Sequence, residues 1–234
     1  MPERSAPAGP ARRLLYGRHK GHRLRPRRAR LVEEALPRLR VPLGAPCPAD
    51  PRRLFDAPVE ALELEIGFGG AEHLVFRAAA APRTGFIGCE PFVNGVARLL
   101  AEIEARGLSN ILIHDDDARA VIDWLVPASL DRVWLLYPDP WPKARHRKRR
   151  FISADTLAAL ARVMKPGAEL RFATDIADYA DWALRRIAAS PDFDWTARRA
   201  DDWRTPWQPW PGTRYEQKAI AAGRRPCYLT FRRR

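Results

Sequence analysis

Two stretches of this sequence combine residue types that folding alone does not call for. In the first, Glu65-Ile66-Gly67-Phe68-Gly69-Gly70-Ala71-Glu72, an acid stands two positions ahead of a glycine turn. The dinucleotide fingerprint G-x-G-x-x-G would need glycine where Glu72 stands, and a phosphate-cradling P-loop would need a following G-K-[ST]; neither fits. An acid beside a glycine turn suits a cation rather than a diphosphate. S-adenosylmethionine, with an ammonium and a sulfonium, is such a ligand, and Gly67 and Gly69 allow close backbone approach to its adenosyl part. Glu90, 23 residues beyond Gly67, is placed to accept hydrogen bonds from ribose hydroxyls. Asp117, the last of three consecutive aspartates, is placed to meet the adenine amino group.

The second stretch, Tyr137-Pro138-Asp139-Pro140-Trp141-Pro142-Lys143, leads straight into a basic run. Two prolines deny Asp139 both helix and ladder hydrogen bonds and should hold it rigidly at the cofactor cleft. Residues 143–150 then carry six Lys/Arg and no acid. Charge is segregated along the whole chain. The net charge of +13 comprises +10 over residues 1–53, −8 over 54–142, +6 over 143–150, −1 over 151–213 and +6 over 214–234. Arginine outnumbers lysine 36 to 5, as a GC-rich genome would produce, but codon bias does not sort charge into blocks. Blocks of this kind attract a polyphosphate by coulombic force and counterion release.

The elements that must position these residues follow from the apolar patterning. Short apolar runs at 61–67, 85–91, 110–115, 132–138 and 169–175 read as strands. They alternate with helical patterns at 71–81, 92–106, 117–125, 153–164 and 176–189. Gly107 is placed as a C-cap and Ser153 as an N-cap, and a last strand is expected at 227–232. Strands alternating with helices of this length predict an α/β domain with a mostly parallel central sheet flanked by helices. Ligands of such sheets bind beyond the carboxyl ends of the strands, where Glu65–Gly70, Glu90, Asp117 and Asp139 all fall. Residues 1–53, rich in Arg, Pro and Gly with a possible helix at 26–39, read as a basic arm and linker, partly disordered without a partner; 54–234 form the domain.

Several classes are excluded. No run approaches the ~18 apolar residues of a membrane helix, and no apolar core follows the N-terminal arginines as a secretory signal requires. Cys47, Cys89 and Cys227 form neither a metal pattern nor a disulfide set, which fits a reducing cytoplasm. An Arg-rich mitochondrial leader is the lesser alternative. His73, His114 and His146 lack metal spacing, and Trp203, Trp207 and Trp210 are expected to anchor packing.

The motifs ELEIGFGGAEH, GCEP, PDPWPKARHRKRR, ATD and TRYEQK, in that order over roughly 60–234, resemble the tRNA (guanine-N7-)-methyltransferases; the basic YGRHKGHRLRP arm is similar too. The resemblance implies a Rossmann-like class I methyltransferase fold and transfer of a methyl group from S-adenosylmethionine to N7 of guanine 46 in the tRNA variable loop. It implies cofactor binding through Glu65, Glu90, Asp117 and Asp139, and guanosine recognition through Lys143, Asp175 and Thr213-Arg214-Tyr215-Glu216. Asp139 is expected to be catalytic. Asp175 and Glu216 are expected to accept from guanine N1–H and the 2-amino group, Tyr215 or Trp141 to stack on the base, and Arg145, Arg147, Lys148, Arg149 and Arg150 to grip tRNA. The chain departs from the pattern at Ala71, where glycine is common and an extra methyl is expected to narrow the cofactor pocket.

Two rival readings remain at this level. A base amino-methyltransferase would carry an Asp-Pro-Pro-aromatic motif after the fourth strand, whereas here Trp141 directly follows Pro140. A non-catalytic RNA-binding relative would have lost its acids, which are intact here.

Overall fold

The computed structural model describes Tyr16, Gly17, His19 and residues 21–234. A seven-stranded sheet runs through it in the order β3-β2-β1-β4-β5-β7-β6. β1 (Ala61–Ile66) lies at the centre, with β2 (Thr84–Cys89) and β3 (Ile111–His114) on one side and β4 (Leu130–Leu136) and β5 (Met164–Thr174) on the other, all parallel. β7 (Cys227–Arg233) and β6 (Phe193–Trp195) complete the sheet antiparallel. Chain order reverses between β1 and β4, so a crevice opens above their carboxyl ends.

Helices α3 (Glu72–Ala80), α4 (Val93–Arg106), α5 (Ala118–Trp124), α6 (Ala154–Val163) and α7 (Ala177–Ala188) follow the first five strands as the apolar spacing requires. The sheet buries Leu62, Leu64, Ile87, Val133, Leu135, Leu170 and Phe172 with α5, α6 and α7, and Phe86, Ile111 and Ile113 with α3 and α4. Ser153 caps α6 in a reciprocal capping box with Thr156, and Gly107 ends α4 in the left-handed conformation. Two short elements escaped the periodicity: α8 (Asp201–Arg204) and α9 (Arg214–Ala221), too short or too polar to show a full apolar stripe.

Residues 26–53 are less arm-like than their composition. The expected 26–39 helix is split into α1 (Pro26–Glu34) and α2 (Leu36–Leu39) at Ala35; α1 packs on α4, and Val41 is buried in the main core after Arg40 bridges to Ile113 at the sheet edge. Apolar positions Leu31, Leu36 and Val41 outweigh the surrounding arginines here. Residues 1–15, 18 and 20 of the expected arm lie outside the described residues. Among those described, no helix is long and apolar enough to cross a membrane.

Asn110 locks the sheet edge. Its buried side-chain amide donates to the carbonyls of Ala78, Ala81 and Thr84 at 3.1, 3.2 and 2.9 Å, tying the end of α3 and the start of β2 to β3. Asn110→Ala leaves these carbonyls dry and is expected to cost about 2–3 kcal/mol in urea unfolding; a loss below about 0.5 kcal/mol counts against this role.

Candidate active site

The glycine turn is built from left-handed residues. Gly67 (φ 74°), Gly69 (φ 53°) and Ala71 (φ 64°) alternate with ordinary backbone, and the Gly67 amide donates to the Cys89 carbonyl. Ala71 carries the strain of that conformation as a non-glycine residue. No part of it reaches the surface, because it packs with Phe68 and Leu74 beneath the turn. The expectation that its methyl narrows the cofactor pocket is therefore corrected: a pocket-lining atom would be open to solvent, and this one faces the core.

Glu90 closes the turn from the end of β2. Its two carboxylate oxygens accept from the Gly69 amide at 2.7 Å and the Phe92 amide at 3.0 Å. Burial pushes its pKa up, and the charges of Asp139 and Glu65 push the same way against the amide bonds. Glu65 is buried on β1 and takes His73 Nδ1 at 2.6 Å. Asp139 stands exposed at the cleft mouth, and partial desolvation raises its carboxyl as well. Glu90 thus feels the charges of both Glu65 and Asp139, an environment that a cationic ligand would relieve.

Of the three consecutive aspartates, Asp115 pairs with Arg40 at 2.8 Å and Asp116 is exposed. Asp117 caps α5 and accepts both the Arg119 amide and its guanidinium; burial raises the Cys89 thiol, and the charges of Asp117 and Glu90 push the same way. Asp117 therefore lies on the Glu90 side, partly committed to its own helix.

The loop bearing Asp139 is held more firmly than its prolines require. Tyr137 (φ 51°) and Trp141 (φ 42°) both adopt the left-handed conformation on either side of it. Such non-glycine residues cost roughly 1–3 kcal/mol each and persist only where surroundings enforce them. Arg150 supplies part of that enforcement. Its side chain is fully buried, donates to the Pro140 carbonyl at 2.7 Å, pairs with Asp178, and lies over the rings of Tyr179 and Trp182 at 4.8 and 4.9 Å.

This corrects the uniform reading of the basic run, which forms a 3-10 helix over Ala144–Arg149. Arg150 is a loop anchor closed to RNA. Arg147 shares Asp178 at 2.8 Å, and Arg149 lies over Tyr16 and Trp141 at 4.3 and 4.9 Å. Lys143, Arg145 and Lys148 are exposed. Trp141 is edge-on to Tyr16 and His146, so of the two expected stacking residues Tyr215, 47% exposed, is the more open.

The TRYE segment sits over the glycine turn. A side chain at Gly69 would come within 3.1 Å of the Tyr215 ring, and Glu90 and Asp139 help raise the Tyr215 hydroxyl pKa beyond the effect of burial. Thr213 caps α9 in a reciprocal box with Glu216. Glu216 departs from its expected role. Its buried carboxylate accepts from Trp210 Nε1 through both oxygens (3.0 and 2.8 Å), from the Thr213 amide at 3.2 Å and from the Tyr228 hydroxyl. Three donors hold this carboxylate, and the residue is only 5% exposed, which closes it to guanine; Glu216 positions Arg214 and Tyr215 instead. Trp207 and Trp210 complete this support, packed with Trp134 and Tyr228, as expected of packing anchors. Asp175, at the end of β5, pairs with Arg224.

The sheet order and the acid-lined crevice are those of a class I methyltransferase. Residues 60–228 match the family described as "Putative methyltransferase". A solved antibiotic-related methyltransferase superposes with a TM-score of 0.54 at 15% identity, covering 75% of this chain and 89% of that one, a likeness of fold alone. The tRNA (guanine-N(7)-)-methyltransferases of Nitrobacter hamburgensis and Mesorhizobium japonicum are each 54% identical over 94% of this chain, covering 86% and 94% of their own lengths. The chain belongs to the tRNA (guanine-N(7)-)-methyltransferase family.

The two kinds of cation in the basic run are separable. Lys148→Ala is expected to leave thermal stability unchanged and to make the salt dependence of tRNA binding shallower by about one charge. Arg150→Ala is expected to cost about 2–3 kcal/mol of stability by freeing buried partners, and to lower turnover. Equal effects of the two in melting and salt-titration experiments would contradict this division.

Proposed function

We propose that this chain methylates N7 of guanine in tRNA, at position 46 of the variable loop, in the cytoplasm, leaving 7-methylguanosine. The observation that carries the reading is Asp139, held between two left-handed residues at the mouth of a cleft that already contains Glu65 and Glu90, with Tyr215 laid over the glycine turn beside them. The donor set fits S-adenosylmethionine, since burial and the nearby charges of Asp139 and Glu65 push the Glu90 carboxyl up, and a cationic ligand would relieve that repulsion. Glu65, Gly67, Gly69, Glu90 and Asp117 would hold it, with Asp139 at the reacting end. When bound, it supplies an electrophilic methyl on a cationic sulfur.

Guanine N7 carries a free lone pair at neutral pH, so the protein has no proton to remove before attack. Methylation of N7 would leave a positive charge on the purine. The residues therefore contribute by alignment and electrostatics. Asp139 orients the purine and faces the charge that develops on it. Asp175 accepts from the N1–H and 2-amino edge, which adenine does not offer. Lys143 and Arg214 engage O6 or a phosphate, Tyr215 stacks on the base, and Thr213 and Glu216 fix the start of α9 that carries them. Arg145 and Lys148 add phosphate attraction from the exposed side of the basic run.

Labelled methyl transfer to bulk tRNA followed by nucleoside analysis tests the reading: 7-methylguanosine is the expected product, and N2-methylguanosine or a methyladenosine would overturn it. Asp139→Ala is expected to lower kcat at least a hundredfold with little change in tRNA affinity; equal loss of both would remove its catalytic role.

The raised carboxyls also set a pH dependence. Asp139 and Glu90 must be ionised to face a cation, and both protonate above the ordinary carboxylate range of about 4. The acid limb of kcat/KM is expected above that range. In the ligand-free fold the sign is opposite: a raised pKa favours folding below the ordinary value, and that contribution is lost as pH rises through the raised one. Activity flat down to about pH 4 would contradict the assignment.

A further inference from the structure

Beside the glycine turn, a cavity of about 280 Å³ opens, lined by Gly69 and Gly70. Its walls come from chain regions distant in sequence: His22 and Arg28 from the N-terminal segment, Arg98 from α4, Arg214 from α9. Its floor is glycine. A side chain at Gly70 would lie 2.4 Å from the Glu72 carboxylate and 2.7 Å from Arg214, and one at Gly95 would lie 2.3 Å from the Gly69 carbonyl. Bulk at either position would close the cavity or break the turn.

The charge of this cavity is organised. Glu72 Oε1 holds Arg98 at 3.2 Å and Arg214 at 3.1 Å, so one carboxylate fixes two guanidiniums and leaves a net positive pair. Each guanidinium has five N–H donors, and the shared carboxylate oxygen meets a single nitrogen of each. Arg28, exposed on α1, adds a third cation to the rim. The volume falls just below the ~300–1,000 Å³ usual for whole small ligands, which suits an anionic group with part of what it is attached to.

We propose that Arg28, Arg98 and Arg214 form a site for a backbone phosphate of the RNA substrate, next to the nucleotide that enters the cleft. The inference rests on the function proposed above. It follows from position: the cavity shares Gly69 with the cleft, and Tyr215, one residue from Arg214, covers that same glycine. A base stacked on Tyr215 leaves its sugar–phosphate near Arg214. The lining includes no residue of the basic run after β4, so the site adds a second set of cations to that run. Planar guanidinium forks suit a phosphate better than a diffuse cationic surface does.

A carboxylate of the bound cofactor is the competing source of negative charge, and the test separates the two. Arg98→Ala and Arg28→Ala in the full chain are compared with wild type for tRNA binding over a salt series, for S-adenosylhomocysteine binding by calorimetry, and for kcat at saturating tRNA. Each variant is expected to make the slope of log K against log salt shallower by about one and to weaken tRNA binding roughly tenfold. S-adenosylhomocysteine affinity and kcat should stay within twofold, and Arg98→Lys should keep the wild-type slope. Unchanged slopes in both alanine variants overturn the site, and so does a fall in S-adenosylhomocysteine affinity that tracks the loss of tRNA. Arg28→Ala keeps the test decisive if loss of the Glu72 pair unfolds Arg98→Ala. Absence of 7-methylguanosine with wild-type protein would instead overturn the underlying function, a result distinct from either.

Discussion

The Glu90 carboxylate joins the end of β2 to the glycine turn after β1 through the amides of Gly69 and Phe92, and much of the cleft is arranged around it. Two backbone donors are enough to hold a carboxylate in place, yet burial and the neighbouring Asp139 and Glu65 still leave its pKa raised. The cleft therefore keeps an electrostatic demand that its own amides do not meet. Such a site is organised before any ligand enters, and a cationic one offsets a cost the fold already carries.

The loop of Asp139 shows a second form of pre-organisation. Proline restricts the backbone on both sides, but the left-handed Tyr137 and Trp141 need outside support, and the buried Arg150 supplies it through the Pro140 carbonyl. The same basic run thus serves two physical purposes. Its last arginine is desolvated and bound to two carbonyls, one aspartate carboxylate and two rings, while Arg145 and Lys148 remain in water, where they can exchange counterions for phosphate. Near the glycine turn, the buried Glu216 carboxylate is tied to Trp210, Thr213 and Tyr228, so a helix of eight residues presents Arg214 and Tyr215 at a fixed height above Gly69.

Much of this was legible in the amino-acid order alone. Alternating apolar runs placed β1 to β5 and their helices within a few residues, because buried parallel strands and amphipathic helices write distinct periods. The acids at strand ends were legible for the same reason: once the strands are located, the crevice is located too. The β7–β6 pairing was half legible; the strand at its centre was apolar enough to see, whereas β6 has three residues and no period.

What sequence by itself determined was the α/β alternation, the acid-lined turn, the proline-framed aspartate and the segregation of charge, all properties carried by residue type and spacing. What only the tertiary structure decided was which charges are free. Arg150 and Arg145 are alike in sequence but differ because one is desolvated against Asp178 and two aromatic rings. Glu216 and Asp139 are both acids near the cleft, yet one is buried against donors from Trp210 and Tyr228, and the other is exposed. Ala71 reads as an intrusion into a pocket until packing turns its methyl into the core. Partners of this kind lie up to 142 residues apart in the chain, as Arg214 and Glu72 do, and no local pattern records a contact that forms only when the sheet has closed.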